Sequence, residues 1–290
     1  MESIKLSVLI QCYQQADTIQ QAVESALSQQ TDFRFEVIVG DDASSDGTCG
    51  LLRKIERESG GQVIPIIAET NPGDFGFTNM ATTLCAARGE YVAFLDGDDF
   101  WTASDKLQKQ VDFLDSRPDC NLCAHRVVHR RPDGSQFLSP VPPDGSGPHD
   151  VGKLIVDNFV PRISTVLRKS AALNVPDWYW TSYPISADWV MNVLASRTGG
   201  VGFIDEPMAV RNIHNASVSA YYGPRRMFND KLRMLEMMAS ALPNHRRAIN
   251  QSKNRVRMKL LISRFPWLFG FVKRANNVVT GRRVTTTGSI

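Results

Sequence analysis

The chain has 290 residues, 42% of them hydrophobic and 22% charged, with a formal net charge of +3. That is a globular balance, with length for one large domain or two small ones around a sizeable core. Five cysteines, an odd number spread as Cys12, Cys49, Cys85, Cys120 and Cys123, exclude a disulfide-framed scaffold and point to a reducing compartment.

Leu6 to Ile10 is a short apolar run of strand length. A helix follows with Ile19, Ala22, Val23, Ala26 and Leu27 on one face, and Asp17 with Gln20 predicts its capping box. Phe35 to Gly40 is a second buried-type strand. It runs into Asp41-Asp42-Ala43-Ser44-Ser45-Asp46-Gly47-Thr48, a turn rich in cap residues, before a helix with Leu51, Leu52 and Ile55 inward. Val63 to Ile67 is a third strand, Asn71-Pro72-Gly73 breaks the chain, and Phe77 to Ala87 is helical. Tyr91 to Leu95 is a fourth apolar run and ends in Asp96-Gly97-Asp98-Asp99. Alternating strands and helices predict an α/β fold, a Rossmann-like and mostly parallel sheet flanked by helices.

Three carboxylates in four residues repel one another, and a divalent cation with oxygen ligands, Mn²⁺ or Mg²⁺, would offset that. A solvated acidic turn explains these residues as well when they are taken alone. The wider pattern favours a site. Gln11 to Gln14 follow the first strand, Asp41 and Asp42 the second, and Asp96 to Asp99 the fourth, where parallel sheets bind ligands.

Further along, a helix through Leu107, Val111 and Leu114 ends near Pro118, and Cys120 to Val128 is strand-like. Arg131-Pro132-Asp133-Gly134 predicts a hairpin to Gln136–Leu138, residues 139–150 a mobile loop, and Ile163 to Leu167 another strand. Trp178, Tyr179, Trp180 and Tyr183 are either core aromatics or a platform for a sugar ring. Asp188 opens a helix, where an acid is favoured by the helix dipole whatever else it does. Gly147 to Lys153 imitates a phosphate loop but has Leu154 in the Ser/Thr position. Cys120 and Cys123 imitate a zinc pair but alternate across a strand and have no second pair.

Four motifs in order resemble family 2 of the glycosyltransferases, with the GT-A fold: Ser7 to Gln14 (SVLIQCYQ), Glu36 to Thr48 (EVIVGDDASSDGT), Asn71-Pro72-Gly73 with Asn79, and Gly89 to Trp101 (GEYVAFLDGDDFW) continued by Lys106 to Gln110. The resemblance implies a metal-dependent, inverting transferase using a nucleotide-diphosphate sugar, UDP-linked by expectation, and a glycan or lipid-linked acceptor in surface polysaccharide biosynthesis. It implies donor contacts from Cys12, Tyr13, Asp41, Asp42, Asn71, Asn79 and Asp96, metal ligands in Asp98, Asp99 and His214, and Asp188 as the catalytic base. Gln11, Cys12 and Gln14 depart from the Pro, Thr and Asn of the family's first motif, and Ala187 from the Glu of its acidic pair. A catalytically inactive sugar-nucleotide-binding scaffold of the same fold is the alternative.

The expected organisation is a GT-A domain over 1–222 (a nucleotide-sugar half to 115, an acceptor half from 116) and a basic helical extension over 223–290. Eleven of the 33 Lys and Arg lie beyond Glu236, the last acidic residue, leaving 22 basic against 30 acidic side chains before it. Helices are expected over 224–242 and 246–264. The aromatic and basic run Phe265 to Arg274 suggests peripheral contact with an anionic membrane, or packing on the domain. No nucleic-acid module is visible. The N-terminus lacks signal-peptide character and no apolar run reaches spanning length, so the expectation is a cytoplasmic protein, at the inner face of the membrane if the tail binds there.

Overall fold

The computed structural model describes residues 3–142, 144–214 and 218–264. Among these, the strands are β1 (Leu6–Cys12), β2 (Phe35–Asp41), β3 (Val63–Ile67), β4 (Tyr91–Asp96), β5 (Phe100–Trp101), β6 (Cys120–Arg130), β7 (Gln136–Leu138), β8 (Gly147–His149), β9 (Val166–Arg168) and β10 (Gly200–Asn212). They form one sheet in the order β3-β2-β1-β4-β9-β6-β10-β5, with β7 on β6 and β8 on β10. The first four strands pair in parallel, and β9 joins the two halves antiparallel to both β4 and β6. The fold is the expected α/β arrangement, its parallel part confined to β3-β2-β1-β4 and the neighbouring β6–β10 pair.

The helices are α1 (Ile19–Leu27), α2 (Thr48–Glu58), α3 (Phe77–Ala86), α4 (Lys106–Ser116), α5 (Val151–Val156), α6 (Lys169–Leu173), α7 (Asp177–Ser182), α8 (Ala187–Ala195), α9 (Val218–Ala241) and α10 (Arg246–Arg264). Strand alternation divides the core between the two faces of the sheet. Leu6, Val8 and Ile10 pack with Ile19 of α1, Leu52 of α2 and Leu107 of α4. Leu9, Ile38 and Phe94 belong to the other face, with Leu84 of α3, Leu154 of α5 and Trp189 of α8. Each such fully buried apolar side chain stabilises the fold by about 1.5–3 kcal/mol.

That second face also takes Met234 and Met238 of α9 and Ile249 and Val256 of α10, so the helical extension shares the core of the main domain. Helix α9 is kinked at Gly223, which has φ 69°, with Pro224 following. The basic run 265–274 lies outside the described residues. Among the described residues, no helix is long and apolar enough to cross a membrane.

Three local expectations change. Helix α1 starts at Ile19 with Thr18, not Asp17, at its cap and no side-chain cap bond. Residues 162–164 form a 3-10 turn, because the Ser164 and Thr165 hydroxyls donate back to the Pro161 and Arg162 carbonyls, and only Val166–Arg168 is strand. The segment expected to be loose between 139 and 150 contributes β8, paired with β10.

Candidate active site

The parallel ladder sets the site's register. Gln11 lies between Gly40 and Asp96, and Cys12 is level with Asp41. The ends of β1, β2 and β4 therefore present their polar residues along one edge of the sheet, where the chain leaves the ladder and polar groups need new partners.

The loops after β1 and β2 are joined to each other. Asp41 accepts from Ser44 N–H (2.8 Å), the Ser44 hydroxyl (2.6 Å) and the Cys49 thiol (3.2 Å). The Cys12 thiol faces inward to Gly40 O (3.4 Å) and Asp41 (3.5 Å), and burial pushes its pKa up. Gln14 N–H donates to the Ser44 hydroxyl at 2.8 Å, and Asp46 accepts from Ala16 N–H at 3.0 Å. Asp41 is thus saturated by its own turn. Asp42 is different: it is 5% exposed, its carboxylate makes no hydrogen bond among the described residues, and burial, then Asp74 and Asp41, push its pKa up to about 6. Tyr13, 47% exposed, stands beside this loop.

Three other residues expected at the donor make hydrogen bonds to nearby backbone. Cys12 is turned in as described. Asn71 is exposed and accepts from Gly73 N–H (2.7 Å) in its own turn. Asn79 is buried and donates to Gly40 O at 2.9 Å. A side chain at Gly40 would come within 1.7 Å of Asn79 Oδ1, which explains a glycine before the acidic pair.

The turn after β4 connects to β5, which lies beside β10 at the far end of the sheet. That crossing brings the Arg211–His214 segment onto the aspartates. His214 Nε2 meets Asp98 Oδ2 at 2.5 Å, and the Asn212 amide donates to Asp98 O at 2.5 Å. Asp99, 3% exposed, accepts from Asn212 N–H at 2.7 Å; burial, then Asp96 and Asp98, hold its carboxyl well above the usual range. Asp99 therefore ties β10 to the turn. Gly97 is required by closeness, since a Cβ there would lie 2.9 Å from that of Cys12.

Asp96 pairs with Arg162 at 3.2 Å, and Arg162 also donates to Gln11 Oε1. Burial raises the Asp96 pKa, with Arg162 and Arg211 opposing and the charges of Asp98 and Asp188 adding to the rise. Asp188, half-buried in the first turn of α8, is thus within electrostatic reach of Asp96 although 92 residues separate them in the chain. His214 thus meets the Asp-rich turn directly, and Asp188 acts on it through the charge felt at Asp96. Arg162, a lone arginine after Pro161, carries no sequence signal, whereas Arg211 and Asn212 belong to the Arg211–His214 segment that resembles the family's R-x-x-H motif near the diphosphate.

Donor chemistry fits a hard or borderline divalent cation at Asp98 and His214. Among the described residues no three His, Cys, Asp or Glu side chains gather as a complete metal cage, so remaining ligands would have to come from a bound phosphate or water.

Two known structures carry this architecture. TarS of S. aureus, in complex with UDP-GlcNAc, superposes with a TM-score of 0.68 at 19% identity over 87% of this chain and 72% of that one. The mannosyltransferase PcManGT of Pyrobaculum calidifontis, in complex with GDP-Man and Mn²⁺, gives 0.63 at 17% over 100% and 77%. The fold is therefore that of a GT-A glycosyltransferase. The sequence is more specific: the profile of Glycosyl transferase family 2 matches residues 7–169, more than half of the chain, and the chain belongs to that family. Among relatives, an uncharacterized protein of Mycobacterium tuberculosis is 32% identical over 247 residues, 83% of this chain and 70% of its own length. The Escherichia coli UDP-Glc:alpha-D-GlcNAc-diphosphoundecaprenol beta-1,3-glucosyltransferase WfaP is 38% identical over 111 residues, 38% of this chain and 41% of its own.

Proposed function

We propose that this glycosyltransferase moves a sugar from a nucleotide-diphosphate donor, UDP-linked, to a hydroxyl of a glycan or lipid-linked acceptor during surface polysaccharide assembly, with inversion at the anomeric carbon. The observation that carries the reading is the meeting of Asp98 with His214 at 2.5 Å beside Asp96, with Asp188 in electrostatic reach. Donor and acceptor class are supported by what the E. coli relative and the S. aureus structure are named for.

Asp42 accepts a hydrogen bond from the nucleobase, with Tyr13 alongside, and Asp41 fixes the loop that presents them. Asp96, held by Arg162, faces the ribose. Asp98 and His214 are the residues that would hold Mn²⁺ or Mg²⁺, whose chemistry there is to neutralise the departing diphosphate. Asp99 keeps β10 against the turn and so aims His214. Asp188 takes the proton from the acceptor hydroxyl as that oxygen attacks the anomeric carbon and the bond to the diphosphate breaks. One displacement inverts the centre and needs no protein nucleophile. The run 265–274, basic and aromatic, makes peripheral contact with an anionic membrane; removing residues 265–290 abolishes cosedimentation with anionic vesicles.

The test is nucleotide release by the full chain from a panel of UDP- and GDP-sugars, with Mn²⁺ and with a chelator, alongside calorimetry with UDP. Neither binding nor release with any donor would sink the reading. Binding without release, even with added acceptors, would make the chain a donor-binding scaffold.

A further inference from the structure

Among the described residues, four that are not glycine adopt the left-handed backbone region: Gln14 (φ 53°), Ala43 (φ 61°), Phe75 (φ 56°) and Tyr183 (φ 46°). All four lie in loops around the site. Local bonding accounts for two of them. Gln14 is fixed by its bonds to Ser44 and Ser45, and Ala43 lies inside the turn that saturates Asp41. The other two are aromatic, a residue class for which this conformation is costly. Burial does not repay the cost, because Phe75 is 47% and Tyr183 is 54% exposed.

Their rings belong to two aromatic groups, together the aromatic rim, one at Phe75 and the other at Phe77, two residues on. The Phe75 ring centroid is 5.0 Å from those of both Tyr221 and Tyr222, and Tyr221 is 70% exposed. Tyr183 lies 5.2 Å from Phe77, whose ring also meets the buried Tyr179. The two groups adjoin the two ends of the proposed chemistry. On one side, Asp74 acts on Asp42 by charge, and a Cβ on Gly76 would meet Asp42 Oδ2 at 3.8 Å. On the other, the segment after Tyr183 leads into the first turn of α8 with Asp188, whose charge reaches Tyr179. Polar groups are interspersed among the rings: the Asp74 carboxylate, the tyrosine hydroxyls, and the Arg226 guanidinium 4.3 Å from the Tyr222 ring.

We infer that Tyr183 and Phe75, held in strained backbone so that their faces stay exposed, form with Tyr221 a stacking platform for a pyranose ring of the acceptor. This rests on the donor reading above, and it goes further by assigning the acceptor's ring to named side chains. A pyranose presents axial C–H groups that cover an aromatic face and equatorial hydroxyls that need polar neighbours, and this rim supplies both. Of the aromatic segment 178–183, Tyr179 is core, Trp178 and Trp180 pack against it, and Tyr183 alone stands clear.

The test uses saturation-transfer NMR on the full chain with Mn²⁺, with and without UDP. The probes are the methyl glycosides of glucose, galactose, mannose and N-acetylglucosamine. Wild type transfers saturation to the ring C–H protons of at least one probe. Tyr183→Gly and Phe75→Gly relieve the backbone, so melting temperature holds or rises, while the glycoside signal falls about fivefold or more. Tyr183→Trp restores the signal. UDP affinity stays within about twofold in all three variants. The inference is overturned if no glycoside is saturated by wild type, if Tyr183→Gly keeps the signal, or if UDP affinity falls in step with it, which would assign the rings to the nucleotide. Failure of wild type to bind UDP overturns the donor reading instead, and the measurement without UDP keeps the two failures apart.

Discussion

The two halves of the sheet build their shares of the site by different means. Up to Trp101, several polar loop residues are satisfied by their own or the adjoining loop: Asp41 by Ser44 and Cys49, Gln14 by Ser44 and Ser45, Asp46 by Thr48 and Ala16. Beyond Trp101, side chains reach far across the chain. Arg162 and Gln11 are 151 residues apart, Asn212 and Asp98 114, and His214 and Asp98 116. The first half is a cradle whose shape needs only its own strands. The second half delivers the charges, and their placement depends on the completed sheet. Changes in the cradle should therefore alter donor affinity and stability, and changes in the delivered charges should alter turnover.

The largest effect expected is at Asp188. Asp188→Ala lowers turnover by about 10²–10⁴-fold, the usual contribution of a general base, while UDP affinity by calorimetry is retained. Near-normal turnover would remove Asp188 as the base. Next is Arg162→Met, which leaves Asp96 without its cation and costs about 1.5–3 kcal/mol, divided between melting temperature and donor affinity. Unchanged values of both would mean that the cradle needs no help from the second half.

Asp42 offers a pH test within the cradle. Burial raises its folded pKa from the ordinary 3.8 to about 6, so the folded state binds more protons between those values. The sign follows: stability declines as pH rises through that window, by about 1–3 kcal/mol from this group. Asp42→Asn flattens the slope of melting temperature against pH between about 4 and 6 and raises stability at pH 7. It also weakens UDP binding, because the charged acceptor is lost. An unchanged slope would show that Asp42 is not the group responsible. The smallest effect is at Arg255, which grips both oxygens of Asp157 at 2.6 Å from an exposed position. Arg255→Ala should move stability by only about 0.2–1 kcal/mol, read in a denaturant melt.

The same contrast explains what was legible in the sequence. Strands β1, β2 and β4 are mostly apolar runs, broken only by Ser7 and Glu36 near their starts, so their ends, and the polar residues just past them, could be located directly. Strand β10 hides its pattern. Asp205, Glu206 and Pro207 interrupt it, and its pairing with β6 shifts register on both sides of Pro207, which breaks the alternation that marks a strand. With β10 unrecognised, Asn212 had no assigned neighbour. His214 was reached only through its likeness to a family motif. Asp42 and Asp41 look equivalent in sequence and are both buried, and only hydrogen bonding separates the saturated acid from the other. Cys12 and Asn79 were expected at the donor because they lie in motif positions, yet short side chains beside a close-packed glycine turn inward to satisfy the backbone.

The seating of α10 has a consequence for biosynthesis. Ile249 and Val256 close the same core as Leu154 and Trp189, and the Gly152 backbone is close enough to α10 that a Cβ there would lie 3.4 Å from that of Ala248. During translation the chain emerges N-terminus first. The nucleotide cradle can therefore assemble on the ribosome while the opposite face of the sheet still waits for its last helices. A nascent chain arrested before residue 246 would lack Ile249 and Val256 from that core and leave α5 without its α10 neighbour, a substrate for chaperones rather than an early enzyme.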